Sequence, residues 1–300
     1  MNNIQVNFSI KDLENLTGIK AHTIRIWEKR YNLLQPDRSE TNIRNYSLSS
    51  LQKLLNISFL NNSGYKISKI AELNEDEIPV KVREIASRAK VEDHAINALK
   101  LSMLNFDQVL FYNTYNTLIE NRTFNDIFYD VFLPLLNEIG LLWQTNTITP
   151  AHEHFLTSHM KQKILLNIER LQSLEPKPSS KTYILFLPDN EVHDIGLLFI
   201  NYKLRSKGLH TIFLGESVPM SSLVSVLEFF EDITFISYFT VKPELEDIPN
   251  YITAFNELLL ANKNTNLILL GPKLCSMETE LKLPEQVKIF SSIENLVKDL

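Results

Sequence analysis

The chain of 300 residues contains a single cysteine, Cys275. No disulfide can therefore form within it, and its chemistry suits a reducing compartment. Long apolar runs are also missing: none approaches the ~18 residues needed to cross a bilayer as a helix. The N-terminal "MNNIQVNFSIKDLEN" has no basic segment followed by an apolar one, so no secretory leader is visible, and the expectation is a cytoplasmic protein. There is no internal repeat and no low-complexity tract. Histidine and glycine are both scarce, at seven of each. That scarcity draws attention to residues 190–196, "NEVHDIG", where one of each stands three residues apart.

What is present is ordinary for a soluble globular protein, with 44% apolar and 22% charged residues. The length suits two or three domains. Charge is unevenly spread. Residues 1–73 hold ten Lys/Arg against six Asp/Glu, a net of +4, and the remainder holds twenty against thirty, a net of −10. A basic head on an acidic body suits nucleic-acid binding through the head. Two breaks divide the chain: "NEDEIPV" at 74–80, and the Pro- and Ser-rich "LEPKPSS" at 174–180. The expected domains are 1–75, 78–173 and 181–300.

Past the second break, strand-like runs ("TYILFLP", "HTIFLG", "ITFISYF", "NLILLG", "VKIFS") alternate with helix-like runs at about 194–206, 219–230, 251–262 and, briefly, 276–282. Alternation of this kind predicts βαβ units and a parallel sheet, a flavodoxin-like or Rossmann-like domain. Residues 78–173 carry almost no strand signal. Leu156, Met160, Ile164, Ile168 and Leu171 recur at helical spacing. "TPAHEHF" opens that helix with Thr149 as cap and Pro150 in the first turn. Four or five helices with short connections predict a bundle. The fold class is thus multi-domain, α and α/β.

The head is the densest signal. In "FSIKDLENLTGIKAHTIRIWEKRYNLLQPDRSETNIRNYS", Ser9 caps a helix whose Ile10, Leu13 and Leu16 share a face, and Gly18 makes the turn. A second helix from about Lys20 presents His22, Thr23, Arg25, Lys29 and Arg30 outward, with Ile24 and either Trp27 or Ile26 packed inward. Two helices joined by a glycine turn, the second rich in Arg, Lys and Thr, read as a helix-turn-helix. The polar "PDRSETNIRNYS" suits a wing along the phosphate backbone. From Phe8 to about Leu73, including "TGIKAHTIRIWEKRY" and "GYKISKIAEL", the segment resembles the MerR family of transcription regulators. That resemblance implies that Lys20, His22, Thr23 and Arg25 lie at the major groove, that Arg38, Arg44 and Tyr46 grip phosphates, and that a homo-oligomer, a dimer or tetramer, binds double-stranded operator DNA.

The stretch at 190–196 follows a strand and precedes a helix, the place where open α/β sheets put their ligands; the plain alternative is an ordinary polar loop. "EVHDIG" resembles the E/D-x-H-x-x-G motif of cobalamin-binding domains. The resemblance implies His193 as the axial ligand of cobalt, a role suited to a neutral imidazole. It also implies a carboxylate, Glu191 or Asp194, on the other ring nitrogen, and Gly196 where the displaced nucleotide tail passes close to backbone. "TIFLGESVP" resembles the family's second strand with Gly215 in place. "ISYF" matches the family's Ser-x-Leu in Ser237, which would contact the tail's benzimidazole, while Phe239 replaces the leucine. "LLGPK" keeps Gly271, with Pro272 in place of a second glycine. Trp143, nine residues, then Glu153-His154 resembles the helical cap of MerR-type cobalamin photoreceptors, implying Trp143, Glu153 and His154 around the adenosyl group. Where light-sensing members carry a histidine directly after that tryptophan, this chain has Gln144; His152, His154 and His159 lie nearby.

Together these readings describe a transcription repressor, not an enzyme, that senses adenosylcobalamin and light. Two alternatives stand beside it: a MerR-type regulator that works through a protein partner without the cofactor, and a corrinoid methyl carrier, in which a basic winged head has no role.

Overall fold

A computed structural model describes residues 7–38, 42–86, 91–145, 147–171, 181–260, 264–277 and 282–300; at 83–86, 91–92 and 143–144 the description is of the backbone alone. The chain forms two compact units, Met1–His159 and Met160–Leu300. No described helix is long and apolar enough to cross a membrane.

The first unit opens with α1 (Ile10–Thr17). Ser9 and Asp12 cap it reciprocally, each side chain on the other's backbone N–H, and Gly18 closes it in the left-handed region at φ 74°. Helix α2 (Ala21–Tyr31) follows, burying Ile24 and Trp27. Of the two candidates for the inward position Trp27 is the one taken, and Ile26 stays 52% exposed. A two-stranded antiparallel hairpin, β1 (Asp37–Arg38) and β2 (Arg44–Asn45), makes the wing, and Phe8 pairs with Tyr46 beside it. Then come α3 (Leu48–Asn62), α4 (Ile67–Ile70), α5 (Glu77–Ala86), α6 (Val91–Asn105), α7 (Gln108–Ile119), α8 (Phe124–Ile127), α9 (Leu133–Gln144) and α10 (Pro150–Glu169). A π-helical turn, Phe128–Phe132, joins α8 to α9. The bundle core is aromatic: Phe111, Phe128 and Phe132 are fully buried. Leu156, Met160, Ile164 and Ile168 are buried along α10 as their spacing predicts.

The second unit holds a five-stranded parallel sheet in the order β4-β3-β5-β6-β7. The strands are β3 (Lys181–Phe186), β4 (Thr211–Gly215), β5 (Asp232–Tyr238), β6 (Thr265–Leu270) and β7 (Val287–Ile289), with helices α11 (Ile195–Ser206), α12 (Ile248–Phe255), α13 (Pro272–Cys275) and α14 (Ile293–Asp299). The order reverses beside β3, so the C-terminal end of β3 is a topological switch point. Strand residues are buried on both sides, as a sheet covered by helices requires.

Three details differ from expectation. The run at 219–230 is a 3-10 helix over Met220–Glu228; Ser and β-branched residues there favour helix poorly. A short helix forms at Pro272–Cys275, where none was expected, with Pro272 suited to its first turn; the one expected near 276–282 falls mostly on 278–281, outside the described residues. The last helix, α14, has no counterpart among the expected helices, although Ser292 caps it on Asn295 N–H.

Candidate DNA interface and candidate cofactor site

In the head, α2 carries an exposed stripe. His22, Arg25, Ile26, Lys29 and Arg30 all face solvent, as helical spacing of three and four residues allows. Thr23 is half-buried, and its hydroxyl lies 3.4 Å from the His22 ring. The helix start is held by a residue the sequence reading passed over. Glu14 accepts from the Ala21 N–H at 3.2 Å and from Lys20 Nζ at 3.3 Å. The Ala21 N–H is the main influence holding the Glu14 carboxyl below its ordinary range. Lys20 is thus engaged by Glu14, though mostly exposed.

The wing is anchored by a second such residue, Glu28 of α2. It accepts from Arg44 Nε at 3.1 Å and from the Tyr46 hydroxyl. Arg38 is exposed and donates to Asn42 Oδ1 at 2.5 Å. This corrects the expectation for Tyr46. Its ring is fully buried and its hydroxyl is spent on Glu28, so it holds the wing rather than presenting to phosphates. Burial first, and then the Glu28 bond, raise its pKa. Arg44 shares its charge with Glu28, leaving Arg38 as the more open wing cation.

In the second unit, the loop leaving β3 is built around one buried carboxylate. Glu191 Oε1 accepts from Val192 N (2.9 Å), His193 N (3.0 Å) and His193 Nδ1 (2.6 Å). Its Oε2 accepts from the backbone N–H of Thr240 (3.2 Å), Val241 (2.6 Å) and Lys242 (2.8 Å). One side chain so fixes the histidine ring and ties its loop to the segment after β5. Burial pushes the Glu191 carboxyl up, but these donors outweigh it and hold it down at about 2. Of the two carboxylates the motif offered, Glu191 is the one on the ring. Asp194 is buried and pairs instead with Lys161 of α10 at 2.5 Å, and Lys161 also reaches Glu216 at 2.8 Å. Burial, opposed by Lys161, leaves the Asp194 carboxyl raised.

The His193 side chain is 42% exposed. Exposed apolar residues flank it in the chain and across Glu191: Val192 at 55% and Val241 at 45%. Among the described residues no group of three or more His, Cys, Asp or Glu could hold an ion, so the chain has no closed metal cage here, and His193 is the exposed nitrogen donor. That donor set fits a metal that brings its other ligands in a flat macrocycle, with Nδ1 engaged by a carboxylate and apolar surface around the ring.

The glycines and Ser237 do not converge as expected. Gly215 ends β4 at φ 88°. Its carbonyl accepts from Leu187, which joins the β4 end to the histidine loop. A Cβ on Gly196 would lie 2.6 Å from the Tyr238 ring, and one on Gly271, at φ 122°, would lie 2.2 Å from the Phe239 carbonyl oxygen. Ser237 is paired in register with Phe186 and Leu269, both members of the core on the α12 side. Its hydroxyl is buried with no hydrogen-bond partner. Alternation along β5 puts Tyr238, and hence Gly196, against the other face. Ser237 and Gly196 therefore cannot line one slot.

In the bundle, Trp143 and Gln144 end α9, and their side chains lie outside the described residues. Glu153 is half-buried and His154 exposed in the first turn of α10. His152 Nδ1 lies 2.9 Å from the Thr149 hydroxyl and its ring stacks on Phe106. His159 is buried among Phe111, Tyr112 and Phe155.

Residues 8–77 match the family model of MerR HTH family regulatory proteins, and residues 95–166 match that of the B12 binding domain. The chain couples a MerR-type DNA-binding head to a B12 binding domain. The second match falls on the helical bundle. Among curated relatives, the HTH-type transcriptional repressor CarH of Myxococcus xanthus is 27% identical over 222 residues, 72% of this chain and 73% of its own. The HTH-type transcriptional repressor CarA of the same organism is 26% identical over 219 residues, 71% and 70% respectively. In fold, the chain is similar to the monomethylamine corrinoid protein of Methanosarcina barkeri, with a TM-score of 0.55 at 13% identity over 69% of this chain and 97% of that one. Both family matches lie almost wholly in the first unit and neither reaches the sheet of the second, for which the likeness to that corrinoid protein is one of fold.

Proposed function

We propose that the protein is a cytoplasmic transcription repressor, not an enzyme, that binds operator DNA as a dimer or tetramer and senses adenosylcobalamin and light. In this reading residues 1–75 read DNA, 78–173 supply the cap for the cofactor and 181–300 its metal ligand. The Glu191–His193 pair carries it. A carboxylate with a strongly lowered pKa locks Nδ1 of the ring, which makes Nε2 the nitrogen for cobalt and raises its basicity. When bound, adenosylcobalamin supplies a light-labile cobalt–carbon bond, a lability that belongs to the cofactor. The chain's part is to bind and orient it: His193 as the ligand to cobalt, Val192 and Val241 as apolar surface, and Trp143, Glu153 and His154 for the adenosyl group. Lys20, His22, Thr23 and Arg25 would meet the major groove, with Arg38 and Arg44 toward phosphates. A ligand that prefers the DNA-binding assembly stabilises it by its differential affinity.

The relatives named transcriptional repressors favour the sign of regulation. The test is a gel shift with DNA from upstream of the protein's own gene. The protein is pre-mixed with adenosylcobalamin in the dark and assayed before and after illumination. A dark-stable complex that dissociates in light supports the reading. Binding indifferent to both cofactor and light would leave a cofactor-independent regulator.

A further inference from the structure

The two motif glycines near the sheet edge are already filled by the chain itself. The Tyr238 ring lies where a Gly196 side chain would be, with three ring atoms between 2.6 and 2.9 Å of an added Cβ. The Phe239 backbone lies where a Gly271 side chain would be, at 2.2 to 2.8 Å. Both fillers come from the end of β5 and the residue after it; Gly271 is required by backbone, and Gly196 gives its space to the Tyr238 ring. Tyr238 is in an apolar setting, since burial pushes its hydroxyl up to about 12. Ser237, the polar group expected to meet a base, faces the opposite side of the sheet, within the core that holds Phe186, Phe235 and Leu269. A nucleotide lying along Gly196 would have to expel the Tyr238 ring, and once there it could not reach the Ser237 hydroxyl.

Building on the corrinoid reading above, we infer that Tyr238 closes the tail slot, and that this chain recognises the corrin ring through His193 while the nucleotide tail stays outside the sheet domain. Specificity is then for the macrocycle and its axial ligands. The ligand class widens to corrinoids with other lower bases or with none. Tyr238 is the residue that sets this breadth, and replacing it with a small side chain opens the slot.

The experiment uses the full chain and two probes in the dark: adenosylcobalamin, and adenosylcobinamide, which lacks the nucleotide tail. Affinities are read from absorption titrations and from colour retained after desalting. The wild type should bind the two within about threefold of each other, and Tyr238→Ala should shift the ratio toward adenosylcobalamin by about tenfold or more. A wild-type preference for adenosylcobalamin of more than about tenfold would overturn the inference without touching the corrinoid reading. Retention of neither probe would remove both together. Should Tyr238→Ala fail to fold, Gly196→Ala supplies the second reading: a closed slot predicts equal losses for both probes, and a loss confined to adenosylcobalamin contradicts it.

Discussion

Glu28 in the head and Glu191 in the sheet domain do related work by different means. Each is a carboxylate, Glu191 buried and Glu28 partly so, tying one segment to its scaffold. Glu28 has two side-chain partners, Arg44 and Tyr46, and so joins the wing to α2 through groups that can be replaced one at a time. Glu191 has five backbone N–H donors and one ring nitrogen, and so fixes the path of two loops at once. A side-chain anchor positions a module; a backbone anchor defines one. Damage at Glu191 should therefore spread through its unit, whereas damage at Glu28 should stay in the wing.

The largest expected effect follows directly. Glu191→Ala leaves buried donors unmatched and should cost the second unit ~3–5 kcal/mol, read by urea unfolding. A loss below 1 kcal/mol would mean that water replaces the carboxylate easily. The same anchor predicts acid sensitivity. The folded pKa of about 2 lies below the ordinary 4.5, so the carboxylate's stabilisation is complete above pH 4.5 and is lost as pH falls toward 2. At 1.36 kcal/mol per unit this is roughly 3 kcal/mol. Stability against pH for the wild type and Glu191→Gln should converge across that window, and parallel curves would contradict the assignment.

Smaller effects are expected in the head. Glu28→Ala should cost ~1–3 kcal/mol by stranding the Tyr46 hydroxyl, and should weaken DNA binding with corrinoid uptake unchanged. Arg25→Ala should leave folding alone and weaken DNA binding by ~1–3 kcal/mol at matched salt. Smallest of all, Ile26→Ser should change stability by less than ~0.5 kcal/mol, because more than half of Ile26 is exposed. A large thermal shift in that variant would put Ile26 back in the core.

Much of this was legible in the chain. Ser9, Gly18, Thr149 and Pro150 mark helix ends by local chemistry, and alternating strand and helix runs named the parallel sheet before its order was known. The histidine loop was legible too, because its residues are neighbours in sequence. What local reading missed was partnership at a distance. Tyr46 reads as an exposed polar residue until Glu28, eighteen positions earlier, takes its hydroxyl. Gly196 reads as room for a ligand until strand alternation turns Tyr238 onto it, forty-two positions later. Glu191 could be tied to His193 by spacing, but not to Thr240, Val241 and Lys242 across the sheet. The terminal helix α14 did carry a signal, Ser292 ahead of Ile293 and Leu296, in a segment short enough to pass for a tail.

The proposed role of His193, held by Glu191, is that of ligand to cobalt. Wild type and His193→Ala are each mixed with adenosylcobalamin in the dark, desalted, and their absorption spectra recorded. The expected result is a red wild-type fraction with the spectrum of imidazole-ligated cobalt, and a His193→Ala fraction that is colourless or shows the spectrum of cobalt without a lower nitrogen ligand. Identical spectra and equal retention in the two proteins would contradict it.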